Sequence, residues 1–191
     1  MTLNIPNMLT LFRIAMIPLF VWVFYLPHHM LTPFWVSLDA TLIFTLAAIT
    51  DWLDGYLARR LNQTSAFGAF LDPVADKLMV VAALVVLVEL GRVGAVVALI
   101  IIGREIAISA LREWMSGVGA GGSVAVATIG KVKTAAQMIA IPFLLYYQPL
   151  SLIGMRLDVA GIGTILIYIA AILTLVSMAY YLQAARKQLR P

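Results

Sequence analysis

The chain has no cysteine, two histidines and few charges: 13 Lys and Arg and 9 Asp and Glu in 191 residues. Without cysteine there are no disulfides and no thiolate metal sites, and the redox compartment leaves no trace. Charged residues make up 12% and hydrophobic ones 63%, whereas about a quarter of an ordinary soluble domain is charged. That is too little polar surface to cover a globule. With a mean hydropathy of +1.00, the composition predicts an integral membrane protein. The net charge of +4 then reads as cytoplasmic-side anchors and contacts with acidic lipid, not as a nucleic-acid interface. The opening "MTLNIPNMLTLFR" has neither a charged leader region nor a small-residue cleavage site, so the first apolar run is expected to be a retained helix.

At ~20 residues per spanning helix, the length allows about six spans and no separate soluble domain. We expect a single all-α domain over 1–191, a bundle of six transmembrane helices near 6–26, 34–60, 68–90, 93–115, 126–148 and 159–183. Pro6 suits a first helical turn, while Pro33 and Pro149 punctuate loops or helix ends. No internal repeat or low-complexity tract is present. Arg59 and Arg60, Arg112, Lys131 and Lys133, and Arg186, Lys187 and Arg190 fall on one side of this topology. Only Arg92 and Arg156 fall on the other. The positive-inside rule therefore places both termini in the cytoplasm.

Against this apolar background, "DWLDGYLARRLNQTSAFGAFLDPVADK" (51–77) carries four aspartates. At ~100° per residue, Asp51, Asp54, Gly55 and Ala58 share one narrow helical face, with Arg59 at its edge. Trp52, Leu53, Tyr56 and Leu57 point elsewhere. In the next span, Gly68, Asp72 and Asp76 recur every four residues. Two helices joined by a short loop are antiparallel neighbours, so their adjoining faces would gather four carboxylates. Pro73 means that the third span kinks or begins there.

Four anions need cations to share a cleft. All-oxygen carboxylate clusters suit hard divalent ions, and paired ions ~4 Å apart clamp phosphoryl groups. Taken singly, these aspartates could be helix caps, Asp72 before Pro73 above all. Four at helical spacing, with glycines on the same faces, point instead to a divalent-metal site.

The pattern D-x-x-D-G-x-x-A-R-x8-G-x-x-x-D-x-x-x-D resembles the signature of the CDP-alcohol phosphatidyltransferases at all eight fixed positions. "NIPNMLTLFR", "GREIAISALREW" and "GKVKTAAQM" are similar to the bacterial branch of that family whose acceptor is sn-glycerol 3-phosphate. The resemblance implies a six-helix membrane bundle, often a homodimer, in the bacterial inner membrane with its cleft open to the cytoplasmic leaflet. It implies transfer of a phosphatidyl group from CDP-diacylglycerol to an alcohol, with release of CMP. On that analogy Asp51, Asp54 and Asp72 hold two divalent ions, Mg2+ or Mn2+. Asp76 ligates the second ion and acts as general base. Gly55, Ala58, Arg59 and Gly68 line the CDP-diacylglycerol.

A phosphate-bearing acceptor calls for fixed cations. Arg104 lies roughly 12 Å from the cytoplasmic end of its span at 1.5 Å per residue, where arginine marks a polar interior. Arg112 shares a face with Glu105, so an internal ion pair between them competes with a phosphate-binding role for Arg104 or Arg112. Lys131 and Lys133 are ~200° apart, so at most one faces the cleft, and Gln137 on the same face favours Lys133. Arg13, with Asn7 and Thr10, is either an interfacial anchor or a contact to the nucleotide diphosphate. His28 and His29 are expected in a loop on the far side. Gly161 and Gly163 suggest close helix contact.

Two other readings stand beside this one. The first keeps the chemistry but changes the acceptor to serine, inositol phosphate or phosphatidylglycerol. The second is a divalent-cation transporter, since acidic residues in spans also mark ion pathways. Transporters show internal repeats and midplane polar sites; here the carboxylates gather at one edge.

Overall fold

A backbone surrounded by apolar side chains must satisfy its own N–H and C=O groups, and a helix does so within one segment. The apolar runs accordingly form helices. A computed structural model describes residues 5–27, 29–61, 66–117, 128–152 and 155–188. Its helices are α1 (Ile5–Val23), α2 (Pro33–Leu61), α3 (Ala66–Glu89), α4 (Ala95–Gly117), α5 (Thr128–Tyr146) and α6 (Val159–Gln188). Each coincides with one expected span to within a few residues. The departure from an all-helical chain is a small antiparallel pair, β1 (Leu150–Leu152) and β2 (Met155–Leu157), between α5 and α6.

Pro6 lies in the first turn of α1 and Pro33 opens α2, positions where the missing N–H costs nothing. Pro73 lies inside α3, as Pro18 does in α1 and Pro142 in α5. The third helix therefore begins at Ala66, a full turn and more before Pro73.

α1 packs against both α2 and α3, whereas α2 and α3 touch each other only lightly. α5 packs along α6, which also takes α4, and α2 reaches α5. Phe20, Phe44, Leu84, Leu87, Ile101, Ile141 and Leu144 fill the common core. Gly163 lets α6 approach α5: a Cβ there would stand 3.0 Å from both Leu144 Cγ and Phe143 Cβ. Gly161, expected to serve the same contact, instead belongs to the start of α6. Its amide donates to Asp158 Oδ1 at 3.0 Å, an N-cap.

At the end of the bundle away from the aspartates, Arg92 closes the structure. It donates to the carbonyls of Leu144 (3.0 Å) and Leu145 (2.6 Å), which the end of α5 leaves without helical partners. It also reaches Ser37 Oγ on α2 at 3.3 Å. Its guanidinium lies 4.5 Å from the ring of Tyr147, whose positive φ of 56° ends α5.

The outer faces are apolar: Trp22, Leu42, Val96, Leu99, Ile165 and Ile172 are all more than half exposed. Pro33–Asp54 and Val159–Gln183 are long and apolar enough to cross a membrane. α3 and α4 are interrupted by Asp72, Asp76 and Lys77, and by Arg104, Glu105 and Arg112.

Candidate functional site

The helical face of α2 sorts as its periodicity requires. Trp52, Leu53 and Tyr56 are exposed while Asp54 is buried. Trp52 and Tyr56 stack with ring centroids 5.9 Å apart, and Arg60 donates to the Tyr56 hydroxyl at 2.8 Å. The aspartates turn inward, toward an open cavity of about 650 Å³ lined by residues of all six helices.

One pole of this cavity is acidic. Asp51 from α2 and Asp72 and Asp76 from α3 line it, with Asp54 buried just behind. α1 adds a cation that bridges the carboxylates of α2 and α3. Arg13, 1% exposed, donates to Asp51 at 2.7 Å and pairs with both Asp54 and Asp76. One turn earlier, Thr10 Oγ1 donates to Asp72 Oδ1 at 2.5 Å. All four aspartates are thus engaged from one face of α1. Lys77 lines the same pole.

The donor set suits a hard divalent ion: carboxylate oxygens alone, gathered where a positive charge is already accommodated. Among the described residues, however, no three acidic or imidazole groups are arranged as a finished metal cage. The guanidinium of Arg13 holds the carboxylates in their present spacing.

The other pole is basic and lies between α4, α5 and α6. Arg104, 7% exposed, donates to Ser177 Oγ on α6 at 3.0 Å and to Glu105 at 3.4 Å. Its guanidinium also lies 5.4 Å from the Tyr181 ring. Lys133 is buried and pairs with Glu105. Glu105 therefore finds its partners in Lys133 and Arg104. Lys133 and Gln137 both line the cavity, whereas Lys131 is exposed, as their ~200° separation requires. Phe44, Met79, Val80, Ile108 and Met138 wall the space between the poles.

Gly68 is buried near the start of α3. Gly55, Ala58 and Arg59 lie on the helical backbone of α2 and Arg112 on that of α4, but their side-chain surroundings fall outside the described residues, as does His28. His29 is exposed in a turn remote from the cavity. Arg13 and Thr10 are the residues that sequence reasoning left undecided. The signal for Arg13 resembled the one used for Arg104, an arginine well inside an apolar helix, and in α1 it is the only charged residue.

The profile of the CDP-alcohol phosphatidyltransferase family matches residues 3–176. A protein of Sodalis glossinidius named "CDP-diacylglycerol--glycerol-3-phosphate 3-phosphatidyltransferase" is 54% identical over 99% of this chain and 98% of its own length. Proteins with the same name from Pectobacterium atrosepticum and Salmonella paratyphi A are 53% and 52% identical over the same shares. With Asp51, Asp72 and Asp76 of the motif lining one cavity and a profile match over most of the sequence, the chain belongs to the CDP-alcohol phosphatidyltransferase family.

Proposed function

We propose that this protein transfers the phosphatidyl group of CDP-diacylglycerol to sn-glycerol 3-phosphate, giving phosphatidylglycerophosphate and CMP. The observation that carries the reading is a single cavity with a carboxylate pole and a basic pole. The full-length relatives named for this reaction support the choice of acceptor.

The family depends on divalent metal ions. Asp51, Asp54, Asp72 and Asp76 would hold two of them, Mg2+ or Mn2+, which would polarise the phosphorus bearing diacylglycerol and stabilise the departing CMP. Asp76, partly exposed on the cavity wall, takes the proton of the acceptor hydroxyl. The hydroxyl oxygen forms a bond to that phosphorus, the phosphorus–oxygen bond to CMP breaks, and CMP leaves with the electron pair. Arg104 and Lys133 hold the acceptor's phosphate, with Arg112 near the mouth of α4; exposed Lys131 contacts lipid phosphate instead. Gly55, Ala58 and Gly68, whose small side chains leave room for it, lie along the cytidine diphosphate together with Arg59.

The exposed apolar faces favour lipid as the protein's surroundings. In our reading all six helices span the bacterial cytoplasmic membrane as one domain, both termini and the cavity mouth face the cytoplasm, and the protein is a homodimer. The acyl chains then stay in the bilayer while the headgroup reaches the carboxylates from the side. A cation pathway would need the aspartates but has no use for two buried cations opposite them.

The test is CMP release by purified protein in detergent with CDP-diacylglycerol, Mg2+ or Mn2+ and a panel of alcohols. CMP formed with sn-glycerol 3-phosphate and lost in Asp76→Asn is the expected result. CMP formed only with serine or inositol phosphate keeps the chemistry and overturns the acceptor.

A further inference from the structure

Two buried polar atoms in the basic half of the cavity have no hydrogen-bond partner: Arg104 Nε, a donor, and Gln137 Oε1, an acceptor. Buried polar groups are nearly always paired, so an orphan of each kind in one cavity calls for an explanation. Gln137 lies one helical turn beyond Lys133 on the same face of α5, and each is 3% exposed. The next turn along that face is wholly apolar, with Ala140, Ile141 and Leu144 at 0%. Gln137 is therefore the last polar side chain before the core and forms the closed end of the space that Lys133 and Arg104 make basic.

A bare anion satisfies Arg104 Nε and leaves the Gln137 amide unmet. A ligand with an anionic oxygen and a separate hydroxyl satisfies both. The hydroxyl also suits either orientation of the amide, since it can donate to Oε1 or accept from Nε2. We infer that Gln137 binds the hydroxyl of the acceptor that does not react, the secondary alcohol beside the attacking one, and so selects a vicinal diol phosphate over a simple hydroxyalkyl phosphate. This assignment rests on the proposed acceptor and names the residue that reads its second hydroxyl. With the phosphate held at Arg104 and Lys133 and the secondary hydroxyl at Gln137, the remaining primary hydroxyl is left as the only one free to approach Asp76.

The experiment compares sn-glycerol 3-phosphate with 3-hydroxypropyl phosphate, which lacks only the secondary hydroxyl. CMP release by the purified full-length protein is followed with saturating CDP-diacylglycerol and Mg2+. Wild type is expected to lose about tenfold or more in kcat/KM with the deoxy acceptor, the cost of leaving a buried partner unpaired. Gln137→Leu is expected to lose a similar factor with sn-glycerol 3-phosphate but to use the deoxy acceptor within about twofold of wild type, so that its discrimination approaches one. The KM for CDP-diacylglycerol should not move. Gln137→Met, closer in shape, repeats the measurement should the leucine variant fail to fold. Equal use of the two acceptors by wild type, or undiminished discrimination in either variant, overturns the assignment alone. Absence of CMP release with sn-glycerol 3-phosphate overturns the function and the assignment together.

Discussion

Arg13 Nη1 lies 2.7 Å from Asp51 Oδ1, joining the middle of α1 to the last turns of α2 across 38 residues of sequence. The same guanidinium also holds Asp54 and Asp76. It carries one positive charge against three negative ones, so the cluster keeps a deficit of cations that bound metal would reduce. On the proposed metal role, Arg13 and divalent ions would compete for the same oxygens.

Arg13→Gln should therefore act in opposite directions on stability and on metal affinity. Without metal the variant should lose about 3 kcal/mol, the low end for breaking a buried ion cluster, because Asp51 and Asp76 retain solvent contact. Its Mn2+ affinity, followed by electron paramagnetic resonance, should rise about tenfold or more, and added Mn2+ should restore its thermal midpoint. Unchanged Mn2+ affinity would sink the competition.

Asp76→Asn should lower CMP release by a factor of about 10² to 10⁴, the usual contribution of a positioned base. CDP-diacylglycerol binding, measured by calorimetry, should weaken far less. Removing metal with a chelator should abolish turnover in wild type, and Mg2+ or Mn2+ should bring it back.

Lys133→Ala should raise the KM for sn-glycerol 3-phosphate about ten- to hundredfold, the range for losing a hydrogen bond to a charged group. Lys131→Ala, two residues away but exposed, should leave that KM within about twofold. Equal effects in both variants would mean that lysine acts through surface charge alone.

Arg92→Ala removes the donor that satisfies Leu144 and Leu145. The expected loss is about 2–3 kcal/mol of stability, read from thermal or denaturant unfolding in detergent. The kcat of the folded fraction should not change, because Arg92 lies at the opposite end of α2 from Asp51.

Helix boundaries were legible because apolar runs and their punctuation determine where a backbone can bond to itself. The sorting of α2 was equally legible: a 3.6-residue period puts Asp54 inside and Trp52 and Tyr56 outside. The same logic separated Lys133 from Lys131. Periodicity says which residues share a face, however, and not what fills the gap between two faces. Asp51 and Asp76 come together as their helical faces required, and what no face pattern showed is that Arg13 of α1 bridges them. Arg13 belongs to no repeating pattern, so only its isolation in an apolar helix marked it. Glu105 shows the other limit. Its i+7 relation to Arg112 was visible along one helix, while its pairing with Lys133 reaches across the cavity to another.

The order of the chain gives the Arg13 cluster a consequence for biogenesis. α1 leaves the ribosome before α2 and α3, so on the proposed topology the guanidinium would already be in the bilayer when the four aspartates arrive. Asp51, Asp54 and Asp76 would then meet a waiting counter-charge, and Asp72 a hydroxyl, instead of bare lipid, at the stage when a lone acidic side chain is costliest to insert. A molecule that received α2 and α3 without α1 would have to keep those turns in the headgroup layer. The first helix would in this sense be a chaperone for the next two, covalently attached to them.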